Sequence, residues 1–156
     1  MTASLPYRPC VGVMLLNAQN QVFVGQRIDR TSEAWQMPQG GMDPGEDPLT
    51  TARRELREET GVTDVTVLAE SSRWLHYDLP EDLVPKMWGG KYRGQEQKWF
   101  LMRLNADDSH INIATEEPEF SAWRWLDVQE VPNVIVPFKQ QLYRDIVAEF
   151  TPYIIA

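Results

Sequence analysis

Three glutamates, Glu55, Glu58 and Glu59, crowd the end of the stretch "PLTTARRELREETGV". The stretch has the signals of a helix. Asp47 is an N-cap, Pro48 fits the first helical position, and Gly61 fits the residue that ends it. Leu49, Ala52 and Leu56 supply a stripe buried on one side. With Leu56 at the centre of that stripe and roughly 100° per residue, Glu59, Glu55 and Glu58 fall at roughly −60°, −100° and −160°. Arg53 and Arg57 fall on the other flank, and only Arg54 comes round to meet Glu58. Like charges three and four residues apart each cost about 0.2–0.5 kcal/mol. Carboxylates in a last turn also oppose the helix dipole, by about 0.3–1 kcal/mol each.

Two readings are open for such an arc. One is a solvated charged face. The other is a site for a cation, and carboxylates with water suit Mg2+ or Mn2+ arriving with phosphates. A calcium loop is excluded, because its Asp/Asn ladder with a central glycine is missing.

The elements that must hold this helix alternate along the chain. "CVGVMLL" (10–16) and "QVFV" (21–24) read as strands joined through "NAQN". A glycine- and proline-rich passage with a short strand around Trp35 leads into the helix. Strand-like runs follow at 64–69 and 71–78, then "QKWFLMRL" (97–104) and "FSAWRWL" (120–126). In the last of these Phe120, Ala122 and Arg124 alternate against Ser121, Trp123 and Trp125. An amphipathic helix over 136–150 closes the pattern. This order predicts one α/β domain, a mixed sheet with a helix on each face.

Composition narrows the function classes. The 156 residues, 42% of them hydrophobic and six of them tryptophan, suit one packed domain. A net charge of −8 argues against a general nucleic-acid coat, yet leaves room for an enzyme acting on one phosphorylated end. Cys10, the single cysteine, excludes an internal disulfide framework and reads as a small buried hydrophobe. The apolar run near the N-terminus is too short for a membrane span and lacks a signal-peptide flank, so a soluble cytoplasmic protein is expected. His76 and His110 read as surface residues.

The spacing Gly40, Glu46, then "RELREETGV" (54–62) resembles a complete Nudix box. That resemblance implies an α/β/α sandwich over 6–150, with the box at 40–62, and hydrolysis of a nucleoside diphosphate linked to another group. It implies Glu55, Glu58 and Glu59 as ligands of Mg2+ or Mn2+, Arg54 as their orienting partner, and Gly40 as a further carbonyl ligand. Glu46 would hold the loop against the helix.

"WQMPQGG", "RWLHYDLP", "GQEQKWFLMRL", "PEFSAWRWL" and "PFKQQLYRDIV" resemble the bacterial RNA pyrophosphohydrolases and the related dinucleoside polyphosphate hydrolases. This narrower resemblance implies Glu119 as a ligand or base, and Arg8, Arg27, Tyr77, Phe138 and Lys139 as substrate contacts. The substrate would be 5′-triphosphorylated RNA or a dinucleoside polyphosphate such as diadenosine tetraphosphate; no stable protein partner is expected. The segment 81–94 departs from the pattern and reads as a loop whose Lys86, Lys91 and Arg93 meet a polyphosphate.

Overall fold

A computed structural model describes residues 4–28, 33–116 and 118–154. The chain runs β1 (Tyr7–Leu16), β2 (Gln21–Arg27), β3 (Gln39–Gly41), α1 (Pro48–Thr60), β4 (Val65–Glu70), β5 (Leu75–Asp78), β6 (Gly94–Leu104), β7 (Phe120–Asp127), the short α2 (Val131–Val134) and α3 (Gln140–Ile154). The sheet order is β4-β6-β1-β2-β7, with β3 added to β1 and β5 to β6. β1 and β6 pair in parallel at the centre, from Tyr7↔Gly94 to Leu16↔Arg103, and the other pairings are antiparallel.

β1 explains the uninterrupted apolar run "CVGVMLL", because it is covered on both faces. Val11, Val13 and Leu15 pack with Ala52 and Leu56 of α1. Met14 and Leu16, one residue out of phase, pack with Leu142, Ile146 and Phe150 of α3. The structure therefore has the predicted mixed sheet between helices. The β1–β2 turn closes on Asn17, whose Oδ1 accepts the backbone N–H groups of Gln19 and Gln21 at 3.0 and 2.9 Å. Asn20 follows in the left-handed region (φ 62°), which asparagine tolerates.

Some boundaries differ from the sequence pattern. The predicted strand 71–78 begins only at Leu75, because Ser71 turns the chain, its hydroxyl donating to the Arg73 carbonyl at 3.0 Å. The passage around Trp35 makes one isolated bridge, Gly25↔Gln36. The final helix starts at Gln140, after a 3-10 turn at Pro137–Lys139.

The larger correction concerns Phe120. A bulge between Gln26 and Arg27 sets Arg27 opposite Phe120 while Gln26 stays opposite Ala122. The extra residue, Ser121, reverses the alternation. Phe120 thus joins Trp123 and Trp125 around Phe23, instead of sharing a face with Ala122. The same irregularity brings Glu119, just before β7, within 3.5 Å of the Arg27 guanidinium.

Candidate active site

α1 is anchored at both ends as its residues predict. Asp47 accepts the Thr50 N–H at 2.9 Å, and Gly61, at φ 74°, donates its N–H to the Arg57 carbonyl at 2.8 Å. Its buried face includes Glu59, which is only 2% exposed. One Glu59 oxygen, Oε2, is buried with no hydrogen-bond partner among the described residues. Burial first, and then the neighbouring charges of Glu55 and Glu119, hold the Glu59 carboxyl well above its usual range. Burial pushes Glu55 up as well, with the Arg54 guanidinium opposing it.

Arg54 is the hub behind these acids. It clasps Glu46 with two bonds (Nε to Oε2 2.7 Å, a terminal nitrogen to Oε1 2.8 Å) and donates to the Gly41 carbonyl at 3.0 Å. Its other terminal nitrogen reaches Glu55 at 2.8 Å and Glu58 at 3.2 Å. The guanidinium's planar fork suits this shared, two-pronged contact. Glu46 also accepts the Asp43 N–H and the Thr51 hydroxyl, both at 2.9 Å, so it ties the loop to the helix. Gly40 lies directly beneath the Glu55 carboxylate, where any Cβ would collide with it.

The Arg54 guanidinium holds the Glu46 carboxyl down at about 2, from an ordinary 4.5. A depressed carboxyl contributes stability that is present above pH 4.5 and lost as pH falls through 2. Glu46→Gln is therefore expected to flatten the acid limb of the stability curve. Urea midpoints measured from pH 7 to 2 should fall less steeply in the variant, and parallel curves would refute the linkage.

A cleft of ≈ 380 Å³ opens beside this helix. Glu55, Glu59, Glu119 and Gly40 line it together with Arg8, Arg27, Tyr77, Phe138 and Lys139. Acidic, cationic and aromatic side chains thus line one cavity, with Arg27 paired to Glu119 within it. Lys139, 8% exposed, sits 5.3 Å from the Tyr77 ring centre, and Phe138 lies 5.8 Å from the same ring. Glu58 does not line this cleft. It opens on an adjoining hollow of ≈ 360 Å³ that shares Glu55, Glu59 and Glu119. Arg54 lines neither and stays behind the glutamates.

Segment 81–94 behaves differently from its sequence pattern. None of Lys86, Lys91 and Arg93 lines the cleft. Arg93 instead grips Asp78 at 2.7 Å and lies over the Tyr7 ring. The segment contributes Met87 and Trp88, and the Trp88 ring sits 5.4 Å from the Arg8 guanidinium. Gln39 and Gln95 also line the cleft. The sequence signal for Trp88 was the unusual "MWGG", which places it in the left-handed region (φ 49°) ahead of two glycines at φ 68° and 73°. Cys10 is fully buried, accepts a bond from Arg8 at 3.1 Å, and has its thiol pushed up to about 11 by burial. His76 and His110 are at the surface.

A family model for the NUDIX domain matches residues 6–146. The chain belongs to the Nudix family. A relative from Roseobacter denitrificans, named RNA pyrophosphohydrolase, is 60% identical over 97% of this chain and 96% of its own length. Relatives of the same name from Sphingopyxis alaskensis (96% of this chain, 96% of theirs) and Rhodospirillum rubrum (97% and 91%) are 58% and 54% identical. Among solved structures, a C. elegans Ap4A hydrolase complex aligns with TM-score 0.65 at 21% identity, covering 92% of this chain and 99% of its own. The E. coli dihydroneopterin triphosphate pyrophosphohydrolase aligns at 0.68 and 20% identity, covering 92% and 98%. These two likenesses are of fold.

Nudix hydrolases use divalent metal ions. Among the described residues no three acidic, histidine or cysteine side chains converge as a ready-made metal cage. The donor set still fits a hard divalent ion, which is commonly held by one or two carboxylates, waters and substrate phosphates rather than by a full protein shell. The orphaned, buried Glu59 oxygen is the observation that such an ion would satisfy.

Proposed function

We propose that this chain, acting as one domain over residues 6–150, is a metal-dependent pyrophosphohydrolase. It removes pyrophosphate from the 5′-triphosphate end of RNA in the cytoplasm, leaving 5′-monophosphate RNA and so promoting mRNA decay. The observation that carries this reading is the shared cleft, in which the buried Glu59 and the half-buried Glu55 and Glu119 line one cavity with Arg8, Lys139 and aromatic rings. The name shared by relatives matching nearly the whole chain supports it. No helix among the described residues is long and apolar enough to cross a membrane.

Glu55, Glu58, Glu59 and Glu119, with the Gly40 carbonyl, would hold Mg2+ or Mn2+. When bound, a divalent ion neutralises charge on phosphoryl oxygens and lowers the pKa of a nearby water. Arg54 keeps Glu55 and Glu58 in place through its direct bonds. Arg8, Arg27 and Lys139 face the phosphate oxygens, and Tyr77 and Phe138 offer ring surface to unpaired bases. Water attacks phosphorus in line with the leaving pyrophosphate, and its proton passes to the carboxylate set, whose titrations are coupled.

The test is a rate comparison with Mg2+ between a short RNA with an unpaired 5′-triphosphate end and diadenosine tetraphosphate. Faster conversion of RNA to its 5′-monophosphate is expected. Faster dinucleotide cleavage would move the assignment to a dinucleoside polyphosphate hydrolase, and turnover of neither would reject both.

A further inference from the structure

Gln95 sits at the cleft, yet what fixes its side chain lies deeper in the sheet. Along β6, Gln95, Gln97 and Trp99 fall on one face, as alternate residues of a strand do. They are 3%, 1% and 1% exposed. The Trp99 indole nitrogen donates to Gln97 Oε1 at 2.7 Å, and Gln97 Nε2 donates to Gln95 Oε1 at 2.6 Å.

The sense of this chain is chemically forced. An indole N–H can only donate, so Gln97 must turn its oxygen toward Trp99 and its NH2 toward Gln95. Gln95 must then turn its oxygen inward. What it has left is its own NH2, which makes no hydrogen bond among the described residues, at the margin of the cleft. In register on either side of Gln95 stand Arg8 and Tyr77.

The starting point of the chain is itself held in place. The Trp99 ring lies on Gly12, where a Cβ would come within 2.5 Å of it. Tyr143 meets the same ring edge-on, at 5.9 Å and 79°, and the Tyr143 hydroxyl accepts the Met37 N–H at 2.9 Å. An indole so confined points its N–H one way.

We propose that Trp99 and Gln97 are positioning residues. Through a one-way relay of amides they hold Gln95 with its NH2 toward the polyphosphate of the substrate. Phosphate oxygens only accept hydrogen bonds at neutral pH, so an unconstrained glutamine would present its repulsive oxygen part of the time. The relay removes that alternative. The substrate class rests on the function proposed above.

Gln97→Glu separates this from a packing role. At a pH high enough to ionise the introduced carboxyl, it still accepts from Trp99 but cannot donate to Gln95, so Gln95 turns its NH2 inward and its oxygen to the cleft. While protonated, its O–H would donate in place of the amide and spare the relay, so the comparison is made at that higher pH. KM for 5′-triphosphorylated RNA is expected to rise about tenfold or more with kcat within about threefold, the pattern of lost uniform binding. Gln95→Met should raise KM similarly, and the double variant should be no worse than Gln95→Met alone. Trp99→Phe keeps the ring and removes the donor, and serves if the buried glutamate prevents folding. It is expected to raise KM by a smaller factor, again sparing kcat. An unchanged KM in these variants, or additive losses in the double variant, overturns the relay. Calorimetric binding of inorganic tripolyphosphate with Mg2+ reads it without turnover. Weaker binding by Gln97→Glu supports the relay even if wild-type protein ignores RNA, and equal binding by both proteins rejects it.

Discussion

Glu59→Gln is expected to abolish most turnover while leaving the protein at least as stable as wild type. The carboxylate is 2% exposed and one of its oxygens has no hydrogen-bond partner among the described residues, which leaves a poorly compensated buried acid. The amide has the same shape without the charge. Turnover of 5′-triphosphorylated RNA should fall by about 10²–10³-fold, the scale on which one preorganised electrostatic group matters in an active site. The proton linkage has a definite sign. Because the folded carboxyl binds its proton more tightly than an ordinary one, its contribution to stability is full below pH 4.5 and fades as pH rises. In chelator, wild type should therefore lose stability relative to the variant as pH climbs above 4.5. Melting curves with and without metal, alongside the rate, check both halves. A variant that keeps full turnover would remove Glu59 from the chemistry.

Arg54→Lys carries the second large effect. One guanidinium joins Glu46, Glu55, Glu58 and the Gly41 carbonyl. An ammonium has three donors and no planar fork, so it cannot hold both Glu46 oxygens and still reach Glu55. Released from its partner, the Glu55 carboxylate faces Glu59 and Glu119 with less to steady it. Apparent metal affinity is expected to fall by about 10–100-fold, as when the residue behind a metal ligand is lost. The half-saturating Mg2+ concentration for turnover would show it. Arg53→Lys is the control, since Arg53 is exposed on the far flank and should change little. Equal Mg2+ dependence in the two variants would deny Arg54 its proposed role.

Legibility in the sequence followed the range of the interactions. The ends of α1 were readable because Asp47, Pro48 and Gly61 act within one turn of themselves. That Glu55, Glu58 and Glu59 border one hollow was readable because helical spacing places them on one arc. Phe120 was misplaced because Ser121 beside it is bulged out of register with β2, a pairing set by a strand far away in sequence, and this reverses the pattern. Lys86, Lys91 and Arg93 looked like phosphate contacts because charge was the visible feature of segment 81–94. Asp78 and Tyr7 take Arg93, and the backbone turns Trp88 inward instead. Gln95 and Gln97 gave no signal beyond strand alternation, since their meaning depends on which end of each amide faces Trp99.

The central β1–β6 pair has a consequence for how the molecule comes into being. Tyr7 meets Gly94, 94 − 7 = 87 positions away, and the parallel ladder continues for ten residues. Pairing so distant in sequence requires a large loop to close before any contact repays it, which makes folding slow. On a ribosome, β1 must wait without its neighbour until β6 has been synthesised. Helix α1 can form early from its caps, but Ala52 and Leu56 have no Phe100 or Met102 to cover them until then. Arg8 and Gln95 come side by side only in that same event. The Arg8 and Tyr77 side of the cleft therefore forms with the β1–β6 pairing, and Glu119, Phe138 and Lys139 complete it only as the rest of the chain follows.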